Sequence, residues 1–425
     1  MGMMTYNGGK KTRKALRGGV IAALDIGSTK VCCFIARVDD AGGVQVIGVG
    51  HQSSLGVKAG AIINMEGAET AISNAVHAAE QMAGETIRSV VVNVSGGQPT
   101  AQSVFVEAPV MEREVTELDL RRAINQSRIQ YINEESELIH AIPTGFVLDG
   151  NRGIRDPRGM FGEKLGVQVM LISAGAGAVR NIKTCVSRCH IDIESHVVSA
   201  YASGLACLVE DETQLGVTCI DMGGGVTTIS VFFDGNLIYI DSVPVGGAHV
   251  TNDIARGLTT PVVHAERMKT LYGSAIAGTS DEREVIDVPQ IGEEDRGRSN
   301  PVPKSLLVGI IQPRLEEIFE LVRCRLEESG MAKLAGRRVV LTGGASQLPN
   351  TRELAQLVLD KQVRLGRPTK IRGLVELTGG PAFSTVAGLL LHAARHPIEA
   401  PIAAPEMIHS GNLWGRVGMW LRDYL

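Results

Sequence analysis

The chain has 425 residues, 44% of them hydrophobic and 21% charged, with a formal net charge of −4 at pH 7. That length accommodates about two to four domains with a sizeable core, and the balance excludes fibrous and wholly disordered classes. With a slightly acidic total and no patch of aromatics interleaved with Arg and Lys, no nucleic-acid partner is expected. Residues 1–19, MGMMTYNGGKKTRKALRGG, are basic but lack the apolar run of a signal peptide, and read as a disordered polar arm. No stretch of 18 or more apolar residues follows, so any membrane contact is expected to be peripheral. The seven cysteines sit mostly in apolar surroundings, as in KVCCFIARV and GVTCIDM, without paired C-x-x-C spacing. They read as buried thiols of a reducing compartment; Cys185, Cys189 and His190 have no second ligand cluster to make a metal site.

The segment VIAALDIGSTKVCCFIARVDDAGGVQVIGVG predicts three strands joined by turns at 27–29 and 39–43. MEGAETAISNAVHAAEQM then reads as a helix. The lobe is interrupted near NVSGGQPTAQSV by about eighty residues with their own pattern. Within them VTELDLRRAINQSRI predicts an amphipathic helix capped by Thr116, with Val115, Leu118, Ala123 and Ile129 as its apolar positions. GVQVMLISA reads as a buried strand and GAVRNIKTCVSRCH as a helix leading back. About two hundred residues after the first meander the same plan returns as GVTCIDMGGGVTTISVFFDGNLIYIDSVPVGG, with Asp221 in the place of Asp25. HVTNDIARGLTTPVVHAERMKTLYG is helical with a Pro break, DEREVIDVPQIGEEDRGRSNPVP reads as an exposed loop, and KSLLVGIIQPRLEEIFELVRCRLEESG as a helix with Pro313 near an N-terminal turn. RRVVLTGGASQLPNTRELAQLV predicts a strand ending in Gly343-Gly344 and a helix capped by Asn350. The repetition predicts an α/β protein of two related lobes.

Such paired turns have a chemistry. A tight Gly/Ser/Thr hairpin turn points several backbone N–H groups into a small concavity that cradles phosphate oxygens, and glycine lets the backbone come close. An Asp just before the turn can organise Mg²⁺ through its waters. Two facing turns would clamp a nucleoside triphosphate, and Gly-Gly at a strand end lets the backbone lie against a base or ribose.

The segments DIGSTK, DMGGGVTT and LTGGASQL resemble the phosphate-1, phosphate-2 and adenosine motifs of the actin-like ATPase superfamily, and VVSAYASGLACL and GPAFSTVAGLLLHA resemble its two interlobe helices. The insert, from EAPVMEREVTELDLRRAINQSR to LIHAIPTGFVLDGNRGIRDPRGMFGEKLGVQVMLISA, and SLGVKAGAIINMEGAETAI are similar to the FtsA family of bacterial division proteins. The resemblance runs from about residue 20 to 392 and implies an actin-like two-lobed ATPase fold with a small inserted α+β subdomain. It divides the chain into a first lobe (20–101 and 192–214), the insert (102–191), a second-lobe core (215–249 and 331–395) and an outer subdomain (250–330). It implies ATP and Mg²⁺ as ligands. Gly27, Ser28, Thr29, Lys30, Gly223, Gly224 and Gly225 would hold phosphate, and Asp25 and Asp221 the metal. Gly343, Gly344 and Ser346 would contact adenosine; an E-x-x-K pair that reaches ribose and base in the superfamily carries over to Glu266 and Lys269. IQPRLEEIFELV is similar to the segment that receives the C-terminal peptide of FtsZ, with Arg314 and Glu317 as its contacts.

Residues 396–410 are Pro-rich and predict a flexible linker. In 411–425, GNLWGRVGMWLRDYL, a helix of 100° per residue gathers Trp414, Val417, Trp420 and Leu421 with Leu413, Tyr424 and Leu425 into an arc of roughly 140°. Arg416, Arg422 and Asp423 lie opposite, as an interfacial helix requires. The resemblance implies a peripheral protein on the cytoplasmic face of the bacterial inner membrane at the division site. It would tether FtsZ, polymerise with itself through the insert, and meet other division proteins, with weak or no ATPase activity. On the same fold, a sugar-kinase-like phosphotransferase and a PilM-like pilus adaptor stand as alternatives.

Overall fold

The computed structural model describes residues 19–131, 133–291, 300–374 and 378–395. The arm before residue 19, the linker and the terminal amphipathic helix read from the sequence lie outside these residues. The first meander forms as expected, with strands Val20–Ile26, Lys30–Val38 and Val44–Ser53 antiparallel and Asp25 paired with Cys32. On the far side of Val20–Ile26 lie the strands Ser89–Val94 and Asp192–Val198, both parallel, and the short strand Ile371–Arg372 closes the other edge. KVCCFIARV is apolar almost throughout because helices Met65–Ala83 and Ser384–Arg395 pack against this sheet, and every residue from 31 to 36 is buried. Met65–Ala83 buries Ala68, Ala71, Ile72, Ala75, Val76 and Ala79, one helical stripe, and the Asn64 side chain caps it by accepting the Gly67 N–H at 3.2 Å.

The second lobe repeats the plan. Strands Val217–Met222, Thr227–Phe233 and Asn236–Val243 form the antiparallel meander, and Arg338–Thr342 and Gln362–Leu365 extend it in parallel from the first strand. Pro261 separates helices Gly247–Gly257 and Val262–Tyr272. Two expectations change here. Pro313 sits inside the helix Lys304–Glu328, not near its start. It removes one backbone hydrogen bond, while eight buried apolar side chains, among them Leu307, Ile311, Leu315, Ile318 and Phe319, keep the helix continuous. The segment read as a loop contributes a strand pair, Val285–Asp287 with Pro301–Pro303, a two-stranded ribbon in which proline can occupy the unpaired side.

The insert is a four-stranded antiparallel sheet of Thr100–Pro109, Ser136–Leu148, Asn151–Ile154 and Lys164–Gly175, covered by the helix Glu117–Gln130. Thr116 caps it in a reciprocal box with Asp119. Val115 and Ala123 are buried as expected, but the rest of the apolar face differs from the sequence reading. Leu118 and Ile129 are 71% and 72% exposed, and the buried stripe is Leu120, Ala123, Ile124 and Ser127, whose hydroxyl donates to the Ile124 carbonyl at 2.7 Å. A serine that satisfies itself within the helix hides this periodicity from a count of apolar residues. The helix Ala176–Arg188 returns the chain and buries Val179, Ile182, Cys185 and Val186 in the first-lobe core. All seven cysteines are free; only Cys324 is exposed.

Two helices cross between the lobes, Ser199–Cys207 and Ser384–Arg395. A Cβ at Gly388 would lie 1.8 Å from the Ala202 carbonyl oxygen, so only glycine permits this crossing. Gly388→Ala is expected to cost about 2–4 kcal/mol of stability by forcing the helices apart, measurable as a lowered urea midpoint.

Candidate functional site

The two glycine turns have one geometry. Gly27 N–H bonds the Lys30 carbonyl and Gly223 N–H bonds the Val226 carbonyl, each at 3.0 Å. The turns face each other across the lobes, with only the short Ser28 and Thr29 side chains of the first turn against the bare glycines of the second. A Cβ on Gly224 would lie 2.7 Å from Thr29 Cγ2, and one on Gly225 would lie 2.7 Å from Ser28 Oγ. Ser28 Oγ also accepts the Gly60 N–H at 3.0 Å. Around the turns opens a cleft of about 490 Å³, lined by Asp25, residues 27–30, Asp221, residues 223–225, Glu266, Lys269, Gly343 and Gly344. That is the size of a small-ligand site.

Asp25 and Asp221 end equivalent strands and are both 8% exposed. Burial pushes the Asp25 carboxyl up to about 7; Lys30 opposes the shift and Asp221 adds to it. Asp221 is likewise raised by burial, opposed by hydrogen bonds from the Ser203 and Thr385 hydroxyls and by Lys30. Thr385 Oγ1 donates to Asp221 Oδ2 at 2.9 Å, and Ser203 Oγ donates to the same oxygen. Behind Asp25, the Asn93 side chain accepts the Ile26 N–H at 2.7 Å and donates to Ser199 Oγ at 3.2 Å.

Gly343 has φ +86°, and a Cβ there would sit 2.3 Å from Asp221 Oδ1. Positive φ and lack of space both demand glycine. Ser346 stands back from the cleft wall: it is 1% exposed and its hydroxyl donates to the Gly343 carbonyl at 2.7 Å, holding the loop. Asn350 precedes the helix Thr351–Leu359 as expected, but at φ 64° its side chain donates to Ser274 Oγ at 2.9 Å in place of a cap. Lys269 Nζ reaches Glu266 Oε2 at 2.7 Å, Thr251 Oγ1 at 2.8 Å and the Gly247 carbonyl at 3.2 Å. Arg314 Nε contacts Asp253 Oδ2 at 2.5 Å and its guanidinium also pairs with Glu317; neither residue lines the cleft. Asn93, Ser203, Thr385 and the turn Pro381–Phe383 were not singled out from the sequence. Each is brought to the site by contacts remote in the chain, for which one sequence carries no local signal.

Two meandering sheets related by repetition, with a cleft between them and the chain crossing twice, define the actin-like class. Among solved structures the chain is similar to one of the PilM–PilN type IV pilus biogenesis complex, with TM-score 0.61 and 17% identity over 89% of this chain and 99% of that one. It is also similar to MreB5 of Spiroplasma citri bound to ADP, with TM-score 0.54 and 14% identity over 89% and 97%. The family model described as cell division protein FtsA matches residues 218–388, and that of the SHS2 domain inserted in FtsA matches 96–173. Cell division protein FtsA of Rhizobium meliloti (strain 1021) is 44% identical over 96% of this chain and 95% of its own length. That of Escherichia coli (strain K12) is 32% identical over 96% and 99%. The chain belongs to the FtsA family of actin-like cell division proteins, and cell division is its role. No helix among the described residues is long and apolar enough to cross a membrane.

The raised Asp25 carboxyl has a consequence for stability. Below about pH 4 the folded and unfolded chains both hold this proton. Between about 4 and 7 only the folded chain does, so ligand-free stability falls as pH rises through that window. Asp25→Asn removes a penalty on the order of 3–4 kcal/mol at pH 8. Its melting temperature is expected to exceed the parent's there, with the gap closing toward pH 4 in a thermal-melt series.

Proposed function

We propose that this chain binds MgATP in the interlobe cleft, polymerises at the cytoplasmic face of the inner membrane, and tethers FtsZ there as the division ring assembles. One observation carries the nucleotide reading: the glycine turns meet face to face with two buried carboxylates behind them. Backbone N–H groups of Ser28, Thr29, Gly224 and Gly225, in turns that Gly27 and Gly223 close, would hold the phosphates with the Lys30 ammonium. Asp25 and Asp221 fit Mg²⁺: they are hard oxygen donors whose burial a cation offsets, and two protein carboxylates leave positions for water and phosphate oxygen. Bound there, Mg²⁺ would screen the phosphate charge. Gly343 and Gly344 would face the adenosine with Glu266 and Lys269, while Ser346 shapes that loop. ATP then acts chiefly by favouring the closed, polymerising arrangement of the lobes, a shift of population and not metabolic turnover.

Gly225→Val places a side chain in the 2.7 Å gap to Ser28 Oγ. It is expected to weaken MgATP binding by about tenfold or more in titration calorimetry, with the circular dichroism spectrum retained. Unchanged affinity contradicts the cleft, and steady ADP production stimulated by a small hydroxylated substrate would favour a phosphotransferase instead.

The membrane reading rests on residues 411–425. Trp414, Val417, Trp420 and Leu421 would enter the leaflet together, driven by apolar burial at roughly 25 cal/mol per Å². One such helix binds modestly, and a polymer bearing many binds by avidity. Arg314 and Glu317 would receive the FtsZ C-terminal peptide, and Asp253, paired with Arg314, joins them. In liposome co-sedimentation the full chain is expected to carry FtsZ down and the chain lacking 411–425 to leave both in solution. Arg314→Ala should sediment but recruit less FtsZ. Lipid binding by the truncated chain overturns the tether, and full recruitment by Arg314→Ala overturns the peptide site.

A further inference from the structure

Lys30 does not stand free in the cleft. Its Nζ donates to the Ala382 carbonyl at 2.5 Å and lies 3.3 Å from the centroid of the Phe383 ring. The ring is itself fixed: it stacks on the fully buried Phe34 at 5.8 Å and 19°, and meets His51 edge-on at 6.4 Å. The turn Pro381–Phe383 that carries both partners is anchored to the second lobe, since the Pro381 carbonyl accepts the Gly343 N–H at 3.1 Å and the Thr342 hydroxyl at 3.2 Å. Lys30 and Ala382 both line the cleft. The ammonium therefore rests on a carbonyl and a π face, two neutral partners on a rigid support. An ionised phosphate oxygen is the stronger acceptor, and an ammonium drawn off the ring toward it forfeits the cation–π contact.

We propose that the Pro381–Phe383 turn is a resting site for Lys30 that a polyphosphate must empty, which makes Phe383 a positioning residue setting the affinity for phosphorylated nucleotides. The inference rests on the MgATP reading of the cleft. It separates two parts of nucleotide affinity: the adenosine part is untouched by Phe383, and the phosphate part is opposed by it.

The test compares MgATP, MgADP and adenosine on the full-length chain by titration calorimetry. Phe383→Leu and Phe383→Met keep apolar volume but remove the ring; having two such variants, each checked by thermal melting, guards against one failing to fold. Either is expected to bind MgATP and MgADP about three- to tenfold more tightly, the range of a cation–π contact, with adenosine affinity unchanged. Phe383→Tyr, which keeps the π face, should match the parent. In a Lys30→Met background the Phe383→Leu change should have no effect on any of the three. Equal changes for all ligands, or an effect that persists without Lys30, overturns the proposal and leaves the nucleotide site standing. Failure of the parent chain to bind any adenine nucleotide overturns the nucleotide reading and this inference with it.

Discussion

The approach of two glycine turns, one from each lobe, governs the centre of this molecule. Gly224 faces the Thr29 side chain and Gly225 the Ser28 hydroxyl at distances that exclude a Cβ, so the second turn must present bare backbone to the first. Where the two turns meet, the exposed backbone offers N–H donors, which directs that end of the cleft toward anionic groups, while Val250, Leu315 and Leu348 line it elsewhere. The same closeness buries the carboxylates at the ends of the first strands, and burial raises both. A fold that keeps two acids in such a place carries a cost that stays unless a cation or a proton offsets it.

What holds the turns in register is the way the lobes share the chain. The strand Ile371–Arg372 comes from the second half of the sequence yet closes the first-lobe sheet, and the helix Ser384–Arg395 belongs to the first-lobe core. It crosses the helix Ser199–Cys207 at a glycine, and each helix supplies one hydroxyl, Thr385 and Ser203, to the same oxygen of Asp221. The second-lobe carboxylate is thus fastened to the crossing itself. Movement of the lobes about these helices must act on the hydrogen bonds that hold Asp221, because interfaces packed this closely shift between discrete arrangements.

Those features differ in how far one sequence exposes them. The repeat, the paired Asp positions and the glycine turns are legible because a backbone constraint admits few residue types, and Asp-x-Gly recurs where each strand ends. The strand over 31–36 is legible as an apolar run for the same kind of reason, both its faces being covered. Asn93 is different: it serves Ile26 from 67 residues away, and nothing around it in sequence marks an asparagine that will be buried. Helix phase fails where a self-satisfied polar residue occupies the core face, as Ser127 does while Leu118 and Ile129 point outward. Asn350 has the right place for a cap but a left-handed backbone, so its amide serves Ser274. Local pattern reports what the backbone needs; it does not report which distant group a polar side chain will meet.

The helix Lys304–Glu328 shows how short the path is between the cleft and the outer face of the second lobe. Leu315 lines the cleft, while Arg314, one residue earlier, and Glu317, two later, point to Asp253 and to each other. Asp253 itself lies on the helix Gly247–Gly257, whose first turn hangs from the second glycine hairpin through Gly247 N–H and Ala248 N–H to the Gly223 and Gly224 carbonyls, at 3.0 and 2.8 Å. Lys269, bonded to the Gly247 carbonyl and to Glu266, ties a third helix to the same turn. The glycine hairpin, the Glu266–Lys269 pair and the Arg314–Asp253–Glu317 cluster are therefore one bonded assembly reached through the helix Gly247–Gly257. Pro313 adds to this, since it deletes a backbone bond just where the helix passes from outer face to cleft, leaving side-chain packing and the Arg314 pairings to hold that turn in place.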